Sequence, residues 1–555
     1  MGLPLFWLFI LAACLLWSAT FSAAAARSAR FPSLLSLAAW LVPVLLLVPA
    51  VALTRFLASG PKPYAVNYFA AAVALLLAAF IGGVWITIAG RQRSVDGAPV
   101  ARRWPVIGLA GLCGMAAMVA YGTLVVIDNA ITAEAVQARF EAASLMQANL
   151  PPAVADADNA APLHRHAAAL LAADDTTNGW YFCLKPDDAL DIQSPEVAAL
   201  LARHADTLDL IRQAADKNAC RFDRDWSRPS IGMCLPEIQG IREEAGLLAL
   251  AARRAAADGD AAAALADTAR IHRLARQAAA EPIVVCHLVS LELDSLARDT
   301  LGRVLPSLEP QDLTLLDAPG LDGVVSPPPP LLKYMIGEEA FGLSVLADIA
   351  TGREQCSAFA AGIDTTITGV IVDHFDLFGL LYRTLFLRAD SAAYREMMHQ
   401  YQTICASDEG SISDFQQVNH TNAMMDSRGW PCTMLEPTFR AILRSQFQAT
   451  ARARAAQVLV AATKRRLAGG GLPESLSELV PDQLSAVPRD PFSDKYQPLR
   501  SKPVDGGMLV WSVGPDGEDD GGPTGRDTSS DDIETGNDDF GLWLMPDRPR
   551  ATPVD

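Results

Sequence analysis

Apolar residues run nearly unbroken through Leu3–Ala25, Phe31–Leu57, Tyr68–Gly90 and Trp104–Ile127. Each run is long enough for a helix to cross roughly 30 Å of hydrocarbon. Pro43 and Pro49 inside the second are tolerable where neighbouring helices satisfy the freed carbonyls. Residues 1–130 therefore predict four transmembrane helices. Small residues at Ser22–Ala26 would suit a cleaved leader, but the length of the first run and the spans after it favour retention.

After Ile127 the pattern changes to apolar positions at helical spacing among polar ones. Ile131–Leu150 reads as a stalk ended by Pro151-Pro152. Helices are predicted over Ala161–Ala173, Pro195–Ala215, Leu235–Ala257, Ala261–Ala280 and from Glu281-Pro282 to Val304. Between the third and fourth, Gly259 suits a left-handed C-cap and Asp260 an N-cap. No second copy of this hairpin follows at repeat spacing. Pro327–Pro330 is a stiff linker. Leu331–Ala350, Tyr394–Ile404 and Pro437–Leu467 are helical, and Cys405–Pro431 is loop. Ile363–Leu387 is almost apolar enough for a fifth span, but Asp373, His374, Asp376 and Arg383 make it a buried helix instead.

Charge orients this scheme. The chain has 555 residues and a net charge of −18, yet residues 1–130 carry eight Lys/Arg against two acids, which leaves −24 for the rest. Six of the eight, Arg27, Arg30, Arg91, Arg93, Arg102 and Arg103, fall in loops on one side of the predicted spans, and Arg55 and Lys62 on the other. The positive-inside rule then places everything after about residue 128 outside the cytoplasm, in a multi-pass inner-membrane protein. The acidic remainder excludes nucleic acid as a partner. Its expected partners are the membrane and other envelope proteins.

Candidate chemistry is sparse. Cys14 and Cys113 lie in the apolar runs. Cys183, Cys220, Cys234, Cys286, Cys356, Cys405 and Cys432 lie beyond them, an odd number in a setting that permits disulfides. Cys220 with Cys234 and Cys405 with Cys432 could staple loops, with Cys286 left over. Cys286 and His287 are adjacent, but neighbours on a helix point about 100° apart and do not form a nucleophile pair. Asp373, His374 and Asp376 could act in acid–base chemistry. Asp223, Asp225 and Trp226, in the aperiodic CRFDRDWSRP segment, could line a carbohydrate or peptide groove. No hydrolase elbow, zincin, P-loop or dinucleotide fingerprint occurs.

The carboxyl-terminal end carries more. A basic helix, Thr450–Ala468, is followed by three glycines, LPESLSELV at Leu472–Val480, VPRDPF at Val487–Phe492, a strand at Gly507–Val513 and the acidic loop Gly514–Gly522. In that loop Asp516, Glu518 and Asp520 occupy positions 1, 3 and 5 of the EF-hand oxygen spacing, with Gly521 at 6 and Asp527 at 12. Asp531, Asp532, Asn537, Asp538 and Asp539 could complete a shell. The metal ligands expected are Asp516, Glu518, Asp520, Asp527 and Asp532, and the ion expected is calcium.

The order of LPESLSEL, PRDPF and WSVGPDG resembles the globular end of the major pseudopilin of type II secretion systems, a family that binds calcium in the comparable loop. Pseudopilins begin with one processed helix, which this chain does not reproduce. CRFDRDWS and AAADGDAAAAL resemble segments of uncharacterised multi-helix bacterial membrane proteins.

The expected fold is mainly α: four transmembrane helices over 1–130, a helical domain with stalk over 131–326, a second helical part over 327–448, a small α+β pseudopilin-like module over 449–545 and a disordered tail over 546–555. The expected function is a non-enzymatic scaffold or interaction protein of the envelope, connected with secretion. The alternative is an extracytoplasmic hydrolase or a carbohydrate- or peptide-binding protein.

Overall fold

The structure is a computed structural model. It describes residues 130–131, 133–173, 191–227, 229, 235–351, 387–406, 430–493, 497–504, 507–523 and 539–545, the side chains of 430–437 excepted. Helix accounts for 66% of the described residues, which are therefore mainly α.

The four transmembrane helices are corrected. No helix among the described residues is long and apolar enough to cross a membrane, and the four runs in 1–130 lie outside those residues. The multi-pass inner-membrane placement falls with this finding. The long helices present are of another kind. The 21-residue helix Val284–Val304 buries Asp294, Arg298 and Arg303, which suits packing against charged partners and not contact with lipid.

The helices are α1 (Ala161–Ala172), α2 (Pro195–Arg203), α3 (Ala205–Ala215), α4 (Pro236–Ala257), α5 (Ala261–Ala278), α6 (Val284–Val304), α7 (Leu321–Val325), α8 (Leu332–Ala350), α9 (Leu387–Cys405) and α10 (Trp430–Arg465), with a further helix over 133–149. The predicted Pro195–Ala215 helix is two, because His204 leaves helical geometry at φ −96° and ψ 19°. Gly259 takes φ 83°, and Asp260 accepts the Ala263 amide at 3.0 Å, so the α4–α5 turn forms as its residues require.

Contacts divide the described residues into two units. The first holds the described parts of Met1–Phe140, Leu343–Glu396 and Asp426–Thr433. Here Arg139 pairs with Asp348 and donates to Thr351 at 2.7 Å, and Arg388 pairs with Glu134.

The second unit holds the described parts of Glu141–Gly342, Met397–Met425 and Met434–Asp555. At its centre α5 packs between α4 and α6, and α1 packs on α3 and α4. Gly240 lets α4 approach α1, since a Cβ there would stand 2.9 Å from that of Ala168. The carboxyl-terminal part adds an antiparallel sheet in the order β1 (Arg500–Val504), β2 (Gly507–Ser512), β3 (Phe540–Leu544). β2 is buried along its length. Phe492 stands edge-on to Phe447 of α10 and Phe540 of β3, with ring centroids 6.0 and 5.6 Å away. It closes a core with Ala451 and Val513. Asp490, also of the PRDPF segment, is buried and accepts from Ser512 Oγ (2.7 Å), Val513 N (2.9 Å) and Phe492 N (3.0 Å). One carboxylate thus joins PRDPF to the end of the WSVG strand. The domain boundary expected at 448/449 falls inside α10.

Candidate functional site

Residues 220–226 lie between α3 and α4 with strict alternation. Cys220, Phe222, Arg224 and Trp226 are turned inward, while Asp223 and Asp225 are exposed. The segment is strand-like in period although it pairs in no sheet. Trp226 therefore does not line a common face with Asp223 and Asp225. Asp225 caps its own turn by accepting from Ser227 N at 2.9 Å. Asp373, His374 and Asp376 lie outside the described residues.

The inward side chains meet buried charges. Arg224 clasps Glu281 from Nε at 2.9 and 3.0 Å and reaches Glu237 from Nη2 at 2.6 Å. Its guanidinium also lies 5.4 Å from the centroid of the Phe222 ring. Burial raises the Glu281 pKa, and Arg224 opposes the rise. This fork ties the segment to the start of α4 and to the α5–α6 turn.

Beside it His164 of α1 is buried, with Nδ1 2.6 Å from Glu244 of α4 and Nε2 2.8 Å from Oε1 of Gln277 on α5. The Gln277 amide nitrogen is committed to the carbonyls of Ala214 (2.8 Å) and Lys217 (3.0 Å). Its oxygen must therefore face His164, so Nε2 carries a hydrogen. Burial pulls the His164 pKa down, but the Glu244 carboxylate, with Cys220 adjoining, outweighs it and holds the value at about 10. Burial lifts the Glu244 pKa against the same partner. The pair is an imidazolium–carboxylate bridge joining three helices, with Glu244 Oε1 buried and unpartnered.

A third knot is Asp294 of α6. It takes His272 Nδ1 at 2.8 Å, pairs with Arg276 and lies 3.9 Å from Arg298. Burial would raise its pKa, but these partners prevail and hold it below the usual carboxylate range. Arg298 is itself buried and donates to the carbonyls of Val324 (3.0 Å), Ser326 (3.0 Å) and Ala449 (3.4 Å).

The Cys286–His287 neighbours are chemically quiet. Burial and Glu281 push the Cys286 thiol far up, while burial lowers the His287 pKa to about 4. Neither thiolate nor imidazolium forms near neutrality. His287 stacks on Tyr334 at 4.2 Å and bonds Gln446 at 2.7 Å. Around this point α8 grips the α5–α6 turn. Lys333 donates to Ala280 O at 3.0 Å, Tyr334 to Ala279 O at 2.9 Å, and Gly337 leaves room for the Pro282 carbonyl. Cys220, Cys286 and Cys405 are free thiols. The expected Cys220–Cys234 and Cys405–Cys432 staples are therefore not formed, and Cys220 instead lies beside His164.

The acidic loop folds back on the sheet. Asp519, not singled out from sequence, accepts from Trp511 Nε1 (3.1 Å), Arg500 Nε (3.2 Å) and Gly521 N (3.2 Å), and Lys502 reaches Gly521 O at 2.5 Å. Asp516 caps the Glu518 amide at 3.0 Å, and Glu518 and Asp520 are exposed. Asp539 receives Gly522 N at 2.7 Å, and burial with Asp519 and Asp520 pushes its pKa up to about 6. Asp527 and Asp532 lie outside the described residues. Among the described residues no three His, Cys, Asp or Glu side chains are disposed to hold a metal ion. Compared with known proteins, the chain matches no family model, no curated protein and no solved structure.

Proposed function

We propose that this chain is a non-catalytic scaffold whose helical body presents a small α+β module to other proteins. The observation that carries this reading is the joint between the two. β3 lies on α6 at Gly302, where a Cβ would stand 2.4 Å from the Trp543 carbonyl, and Met545 N donates to Gly302 O at 3.3 Å. Backbone docked on backbone holds the module firmly, as a platform for recognition requires. The buried ion pairs support the same reading, since they spend their side chains on tying the elements of the body together.

The order of the carboxyl-terminal motifs, like that of the major pseudopilin, supports a role in assembly. Calcium is the ion we propose for the acidic loop, where Asp519, Asp520 and Asp539 crowd negative charge that a cation would relieve.

The test is to replace Asp516, Glu518 and Asp520 by Asn, Gln and Asn in the full chain. Proteins that co-purify with it are then compared by quantitative mass spectrometry. Loss of specific partners at an unchanged melting temperature is expected. An unchanged partner set refutes presentation by this loop.

A further inference from the structure

The helix over 133–149 turns an apolar pair to water in its first-unit part. Ala135 is buried, while Val136 and Phe140 stand 60% and 78% exposed. Residues four apart are neighbours on a helix surface, so the two side chains form one stripe. They are the most exposed large apolar side chains among the described residues. The charges beside them are already engaged. Glu134 takes Arg388 Nε at 3.0 Å, and Arg139 pairs with Asp348. The stripe therefore suits an apolar occupant.

The same ion pairs say which occupant is at hand. Arg139 also donates to Thr351, at the end of α8 and the last described residue before 352–386. Arg388, which Glu134 holds, stands at the start of α9 just beyond that segment. At about 100° per residue, Arg139 and Glu134 fall on opposite flanks of Val136 and Phe140. Both ends of 352–386 are thus tied to one helix, on either side of its exposed stripe. The sequence of the segment matches the stripe in kind. Ile367, Ile371, Phe378 and Leu385 recur at helical spacing, with Asp373, Asp376 and Arg383 at the opposing positions. Tethering then favours it over a separate molecule. A segment fixed beside its target has an effective concentration on the order of millimolar, which a free partner must match to compete.

We propose that the Val136–Phe140 stripe is a docking surface for the chain's own residues 352–386, taken by the side of the segment that carries Ile367, Ile371 and Phe378. An outside partner for this face would have to displace that segment first. The docking adds to the scaffold reading and does not depend on it.

The experiment puts the photo-crosslinker p-benzoylphenylalanine in place of Phe140 in the full chain, irradiates it at low micromolar concentration and maps the adducts by peptide mass spectrometry. The expected adducts join position 140 to 352–386 within a product of monomer mass. A product of dimer mass, adducts only to residues outside 352–386, or no adduct overturns the proposal. A second arm uses Phe140→Asp, a change at an exposed position. Trypsin cleavage at Arg383 is expected to rise about tenfold over wild type, because cleavage follows the population of the undocked segment. Unchanged cleavage there also overturns the proposal, and the crosslinking arm stands by itself if the Asp variant does not fold.

Discussion

Replacing His164 by Leu removes one half of a bridge whose other half, Glu244, is buried and has one oxygen without a partner. Removing one member of a buried pair costs about 3–5 kcal/mol, because the survivor is left charged and uncompensated. Gln277 loses a donor at its oxygen as well, worth about 1 kcal/mol. Replacing both members, His164→Leu with Glu244→Leu, removes the stranded charge and should recover much of the loss. Urea denaturation of the four proteins, at constant slope, measures the cycle. The pH dependence is a second arm. The His164 pKa rises from 6.5 in the unfolded chain to about 10 in the folded one. Its contribution is therefore complete below pH 6.5, falls as pH rises, and is gone above about 10. Wild-type stability should decline across that window, and the histidine's share of the decline should vanish in His164→Leu. A single-variant loss below about 1 kcal/mol, or strictly additive losses in the cycle, would refute the charged bridge.

Gly302→Val should destabilise the second unit by about 1–3 kcal/mol through overpacking against the Trp543 carbonyl, and thermal melting checks it. Asp490→Ala deprives Ser512, Val513 and Phe492 of their acceptor and should cost about 3 kcal/mol, read in the same way. Calcium at a hundredfold excess over its dissociation constant should add about 2.7 kcal/mol; no rise in melting temperature at millimolar calcium removes the proposed ion. Cys286 should resist iodoacetamide at pH 8 in the folded chain and react once urea unfolds it, followed by mass spectrometry.

The helices of the second unit were legible because their apolar positions keep helical spacing and Asp258-Gly259-Asp260 marks a turn by residue type. The break at His204 was not, since nothing around it forbids a helix. The period of two in 220–226 was hidden because one inward position is Arg224, a charge whose burial makes sense only beside Glu237 and Glu281. β1 escaped for a related reason. Its Arg500, Ser501, Lys502 and Pro503 suit an edge strand and carry little strand propensity. His164, Glu244 and Gln277 stand on three helices, so their meeting has no local signal. Asp490 could be seen within a motif, but its work as a tie between PRDPF and WSVG depends on the strand folding back to it. The apolar runs that dominated the pattern concern residues outside those the structure describes, and the described helices follow a different rule, pairing charge with charge inside.

The docking of β3 on Gly302 also has a consequence in time. A ribosome adding about 5–20 residues per second needs on the order of ten to fifty seconds to pass from Gly302 to Phe540. Throughout that interval the α6 surface meant for β3 has been made and its cover has not. A helical body that must wait for its last strand is a natural client for a chaperone that shields apolar surface. A truncated product released early would carry the same uncovered stripe as a target for proteolysis.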